Sequence, residues 1–206
     1  MIDVTEPTAP RLLGSIETPG NARGVDASGS VVLVADGPGG VHVIDVANPT
    51  APVILGTVGT RATFSSAAAI AVRDRLAYVA DGSDRTLGGL RVVDWSDPLT
   101  PALIASTDDG FGLTAVALDR NVALAADFFF VNAVPVFDLR ELAPTPRGHL
   151  DFSGGPRFRD DNGNDLAVQG GLVYLVAARS EILDNGVTGN TGLHIGRYAI
   201  QEDLAG

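Results

Sequence analysis

The chain contains no cysteine and no lysine, and only one methionine and one tryptophan in 206 residues. Without thiols it can form no disulfide, no thiolate metal site and no cysteine nucleophile. Without lysine, all fourteen basic residues are Arg, and twenty of the twenty-five acids are Asp. That bias fits a high-GC genome or a salt-adapted surface. The net charge of −11 argues against nucleic-acid binding, because neutralising phosphates takes cations. Although 45% of the residues are apolar, no apolar run is long enough to span a membrane, and the N-terminus shows no basic-then-apolar leader. No window carries the i, i+3, i+4 stripe of an amphipathic helix either.

What is present is repetition. Val43-Ile44-Asp45-Val46-Ala47-Asn48-Pro49-Thr50-Ala51-Pro52 returns as Val92-Val93-Asp94-Trp95-Ser96-Asp97-Pro98-Leu99-Thr100-Pro101. A worn copy, Val136-Phe137-Asp138-Leu139, runs on to Pro144 and Pro146, and the chain opens Ile2-Asp3-Val4 with Pro7 and Pro10. The aspartates at 3, 45, 94 and 138 are separated by 42, 49 and 44 residues, a period typical of blades or solenoid units. Twenty-five Gly and twelve Pro, with Asn and Asp, punctuate each copy into four short strands, A to D.

Many of these strands are apolar on both faces. In Val41 to Val46 only His42 and Asp45 are polar, so the alternation of a strand with one wet face is lost. A small sheet buried on both sides lies between like sheets, and radial packing supplies that arrangement. The predicted fold is therefore all-β: a β-propeller of four-stranded antiparallel blades, with repeats at about 20–61, 62–109, 110–154 and 155–206. In the fourth copy a long insertion, residues 178–191, precedes Gly192-Leu193-His194-Ile195.

Tyr78-Val79-Ala80-Asp81, Gly89-Leu90-Arg91-Val92-Val93-Asp94, Pro98 and Pro101 resemble the LVIVD repeat of bacterial and archaeal proteins. Val34-Ala35-Asp36, Gly40-Val41-His42-Val43-Ile44-Asp45 and Pro49 repeat the same words. The resemblance covers residues 1–150 and weakens afterwards, where Ala177 stands at the first aspartate position. It implies an exported or cell-surface protein, hence an extracellular or cell-envelope location, and supplies no catalytic residues.

The chain opens at the end of a C strand, so residues 1–19 would supply a D strand without its own blade. That strand would complete the fourth blade and close a four-bladed ring; a segment of a longer propeller, or half of a ring of two chains, are the alternatives. An open stack would leave about ten apolar side chains bare at each end, each worth about 1.5–3 kcal/mol when buried. That exceeds the roughly 5–15 kcal/mol of a whole domain. Self-association is expected if one chain does not close the ring.

Strand order places the B–C and D–A loops on one face, where propellers carry ligands. That face would hold Asp36, Asp81 and Asp127, the arginines Arg61, Arg85, Arg157 and Arg159, and the run Asp160-Asp161-Asn162-Gly163-Asn164-Asp165. The three aspartates would either cap their own B–C turns through amides two residues on, or form a carboxylate ring for a cationic ligand. Asp160, Asn162 and Asp165 offer hard oxygens to calcium, but a D-x-[DN]-x-[DN]-G loop wants Gly where Asp165 stands, so an Asn-Gly turn competes. Asp3, Asp45, Asp94 and Asp138 fall at C–D turns on the opposite face and are read as structural.

His42 and His194 share one place at the head of strand C, where other copies have Arg91 and Pro135. Two imidazoles without a third ligand make a poor metal site. Ser65-Ser66 lacks a nucleophile elbow, and Gly37-Pro38-Gly39-Gly40 lacks the Lys-Ser/Thr of a phosphate loop. Phe128-Phe129-Phe130 would be a contact patch or tuck beneath the insertion. The expected function is a non-catalytic binding or scaffold propeller presenting loops to a protein or carbohydrate, without a cofactor. The alternative is a propeller hydrolase or lyase with a metal or carboxylates at the axial mouth.

Overall fold

The protein is represented by a computed structural model that describes residues 1–59, 64, 66–82, 88–107, 112–127, 133–151, 162–169, 172–183 and 186–197. It is a β-propeller of four-stranded antiparallel blades, with no helix among the described residues. The first blade is β3 (Gly24–Ser28), β4 (Val31–Ala35), β5 (Val41–Asp45) and β6 (Val53–Val58). The second is β7 (Ala67–Arg73), β8 (Leu76–Asp81), β9 (Gly89–Asp94) and β10 (Ala102–Ser106). The third is β11 (Leu113–Asp119), β12 (Val122–Asp127), β13 (Ala133–Asp138) and β14 (Thr145–Asp151). The fourth contributes β15 (Asn162–Gln169), β16 (Leu172–Leu183) and β17 (Gly186–Arg197). Within each sheet the strands lie in chain order, as short hairpin connections dictate.

Two irregularities recur and show that the copies share a backbone, not only words. Strand D carries an extra residue at Leu55, at Ile104 and at Arg147, between the pairs Val43↔Gly56 and Ile44↔Ile54 and their counterparts. Strand A carries one at Ala68, Thr114 and Asn164, so the fourth blade keeps the pattern where its sequence has drifted. Such bulges add local twist, which wedge-shaped blades require. The A–B turn also repeats: its first residue is Gly29, Asp74 or Arg120, at φ 62°, 54° and 44°. Val46, Trp95 and Leu139 then donate their amides to the turn carbonyls of Ser30, Arg75 and Asn121.

Strands A meet in succession, β3 against β7, β7 against β11 and β11 against β15, which places them innermost. Gly24 permits the approach, since a Cβ there would lie 2.7 Å from Ala69 Cα. Asp26 bridges blades by accepting the Val72 amide at 2.7 Å. Both faces of the central strands are buried, as the loss of alternation predicts. Leu33, Val43, Phe64, Val79 and Trp95 fill the junction of the first and second blades. Tyr78, Leu90, Val92, Leu113 and Phe137 fill the next, and Leu124, Val134, Leu166, Val173 and Leu175 the third. Each of the larger side chains stabilises by about 1.5–3 kcal/mol.

Two sequence expectations change. Among the described residues, β2 (Arg11–Leu12) pairs with β1 (Ile2–Asp3) and with no strand of the fourth blade. A short connection makes that local pairing entropically cheaper than closure across the whole chain. The 178–191 stretch is not an inserted loop either: β16 and β17 stay paired out to Leu183↔Gly186. The dipeptide Asn185-Gly186 is the hairpin signal that marks this extension in the sequence.

Candidate functional site

The repeat aspartates at the C–D turns are structural, as expected. Asp3, Asp45, Asp94 and Asp138 accept the amide two residues on, from Thr5, Ala47, Ser96 and Arg140, at 3.0, 2.8, 2.8 and 2.9 Å. Hydrogen bonds to the charged form lower a carboxyl pKa. The Thr5 amide and hydroxyl hold Asp3 below its ordinary value, and the Ser96 hydroxyl and amide do so for Asp94. Asp138 is held far below by Arg140 above all, with Arg147 on its other side.

The aspartates at the B–C end behave differently. Asp36, Asp81 and Asp127 close strands β4, β8 and β12 and are buried. Asp36 has no amide two residues on to accept from, because that residue is Pro38. Asp36 accepts the Thr18 hydroxyl at 2.7 Å and the Gly20 amide at 2.6 Å, both from the loop entering the blade. Its Oδ2 also faces His42 Nε2 at 2.9 Å. Asp81 accepts the Ser66 amide at 2.6 Å and Arg91 Nε at 3.2 Å, with Arg91 itself buried. The carboxylate thus ties the D–A loop to strand C of its own blade. Burial of a bare carboxylate is prohibitive, so each needs such partners.

The register explains which residues can serve. His42 faces Val34, Arg91 faces Val79 and His194 faces Leu175, so all three sit at one place on strand C, as the sequence alignment implied. Pro135 holds that place in the third blade and brings no cation. A second layer was not foreseen. Thr57 lies directly across from His42 and its hydroxyl meets Nδ1 at 2.8 Å. Ser106 lies likewise across from Arg91, and this shared hydroxyl position was the available signal. Because the Asp36 carboxylate only accepts, Nε2–H donates to it, and a neutral ring leaves Nδ1 to accept from Thr57.

Thr57, His42 and Asp36 therefore stand in the order of a hydroxyl–imidazole–carboxylate relay. The second blade answers that comparison. There Arg91 replaces the imidazole, and a guanidinium cannot act as a base. What both blades share is the clamp, not the relay.

Glycine makes the clamp possible, since a Cβ on Gly20 or on Gly39 would lie 2.6 Å from Asp36 Oδ2. Gly40 adopts φ 80°, and a Cβ there would lie 2.3 Å from the Val58 carbonyl oxygen. The Gly-Gly that precedes strand C thus serves close backbone approach, as expected of a B–C turn.

Asn162, Gly163, Asn164 and Asp165 form the start of β15, paired Asn162↔Ala178 and Gly163↔Ala177, rather than an Asn-Gly turn. Asp165 is exposed and accepts the Leu166 amide. Arg61, Arg85, Arg157, Arg159, Asp160, Asp161 and Phe128 to Phe130 lie outside the described residues. No group of three or more His, Cys, Asp or Glu among the described residues is placed to hold a metal.

The LVIVD repeat model matches residues 19–60 and 65–109, the first two blades. No curated protein matches. The computationally designed Ika4 protein superimposes with a TM-score of 0.57 at 12% identity, over 92% of this chain and 98% of that one. The α-L-arabinanase of Cellvibrio cellulosa gives 0.52 at 11%, over 87% and 70%. YjhT gives 0.52 at 12%, over 87% and 67%. At such identities these likenesses speak for the fold alone.

Proposed function

For a chain that carries LVIVD repeats and folds as a β-propeller, we propose a non-catalytic role: a binding scaffold that presents its B–C and D–A loops to a protein or carbohydrate partner. The observation that carries this reading is the pair of buried clamps. Asp36 and Asp81 are engaged in holding loops to blades, which gives a rigid platform for binding. Arg61, Arg85, Arg157, Arg159, Asp160 and Asp161 are the loop residues assigned to the partner. A location at the cell surface or in the envelope follows from the resemblance, and no cofactor enters the reading.

The test is a glycan array together with surface capture from envelope extracts, using the purified chain. Saturable binding lost in Arg157→Ala/Arg159→Ala supports the role. Stoichiometric calcium retained through purification, with a melting shift on chelation, would point instead to a metal-dependent site at the axial mouth.

A hydrolase is the second reading, favoured by the Asp36–His42–Thr57 chain of contacts alone. A fluorophosphonate probe that labels wild type but not Thr57→Val would establish it, whereas absence of labelling removes it.

A further inference from the structure

Repeat equivalence reveals a face that should be covered and is not. Strand pairing aligns Val25, Ile70, Val116 and Leu166, which face Val34, Val79, Ala125 and Leu175 on the next strand. In the second, third and fourth blades this residue is packed against the preceding blade, with Ile70 7% exposed, Val116 9% and Leu166 7%. Val25 is 67% exposed. Its neighbours follow suit: Val32 and Val34 are half-buried, while Ala77 and Val79 at the same places are fully buried.

The opposite end of the stack shows the complementary deficit. Tyr174 aligns with Leu33, Tyr78 and Leu124, all buried between blades, yet Tyr174 is only half-buried. Ala167, paired with it on β15, is exposed.

The outer rim of the missing junction is already built. A Cβ on Gly14 would meet the Pro49 carbonyl oxygen, just as one on Gly56 would meet that of Pro98 at the next junction. Thr18 and Gly20 hold Asp36 as Ser66 holds Asp81. What the first blade lacks is the inner apolar surface of a preceding blade. Asp26 turns the other way to take the Val72 amide.

We infer that Val25, Val32 and Val34 receive the fourth blade of a second copy through the side bearing Ala167 and Tyr174, so that two chains close head to tail into one ring. The chemistry matches every internal junction, where an incoming aliphatic meets an outgoing Leu or Tyr. The chain's own fourth blade does not cover this face, and a two-fold axis turns two identical head-to-tail contacts into a closed assembly. The inference is independent of what the loops bind.

Light scattering after size exclusion, on the 206-residue chain at micromolar concentration, tests it. Wild type should give twice the single-chain mass of 21.2 kDa. Val25→Arg and Ala167→Arg each change an exposed residue, so both should fold, as circular dichroism would check, and each should run at the single-chain mass. Mixing the two variants should restore the double mass, because one of the two junctions is then intact. Leu99→Arg, at a C–D turn and 65% exposed, should leave the double mass unchanged. A monomeric wild type, a dimer indifferent to Val25→Arg, or a mixture that stays monomeric would each overturn the assignment.

Discussion

Every copy of the repeat has room for an aspartate at each end, and the two ends treat it differently. At the C–D end, Asp45 and Asp94 find their partner two residues along the chain and need no burial. At the B–C end, Asp36 finds Thr18 and Gly20, eighteen and sixteen residues upstream, and His42 on the next strand. The local aspartate shapes a turn. The non-local one fastens two elements, and its energetic weight comes from isolation from water.

The largest expected effect falls on the buried clamp. Asp81→Ala would remove the carboxylate paired with the buried Arg91 guanidinium and lower stability by about 3–5 kcal/mol, read as a fall in the urea midpoint. Asp36→Asn should cost less, about 1–3 kcal/mol, because an imidazole can stay neutral where a guanidinium cannot. Equal losses in the two variants would break the contrast between the first and second blades.

Gly40→Ala comes next, at about 1–3 kcal/mol, since it combines a left-handed backbone with a contact against Val58. Thermal melting by circular dichroism would measure it. Gly29→Ala shares the positive φ but meets nothing within 4 Å, so it should be milder and sharpen the distinction between strain and collision.

At the C–D end the prediction is a pH dependence. Asp3, Asp94 and Asp138 have folded pKa values below their unfolded ones. Their contribution is therefore complete above the unfolded value of about 4 and is lost as pH falls below it. Denaturant midpoints at pH 6 and pH 2.5 should differ, and Asp138→Asn should shrink the difference more than Asp94→Asn. An unchanged difference would mean that the turn aspartates do not set the acid response.

The smallest effect is a gain. Arg120→Gly relieves a left-handed residue at the turn where the first blade already has Gly29, and should stabilise by about 0.5–1 kcal/mol in a urea titration. Asp74→Gly should act in the same direction.

Much of the fold was legible because its causes are local. Gly-Pro turns, the Asp-x-x-x-Pro words and strands apolar on both faces all act within a few residues or within one repeat. The site was less legible. Asp36 and Asp81 stand out by alignment, but their partners do not: Thr18, Ser66 and Thr57 are ordinary polar residues until the D–A loop and strand D are brought beside them. The run from Asn162 to Asp165 misleads for a related reason. Its composition suits a turn, yet pairing with β16 holds it extended, bulge included.

The sequence by itself determined the class of the molecule: a period near forty-five residues, strands buried on both sides, and turn aspartates satisfied by their own neighbours. Those properties depend on contacts short in sequence, which composition and spacing record. Only the tertiary structure decided that Asp36 and Asp81 bond to the D–A loop and to strand C, and that Val25 and Tyr174 lie at open faces. Burial and non-local pairing arise from how blades stack, and no single repeat carries that information alone.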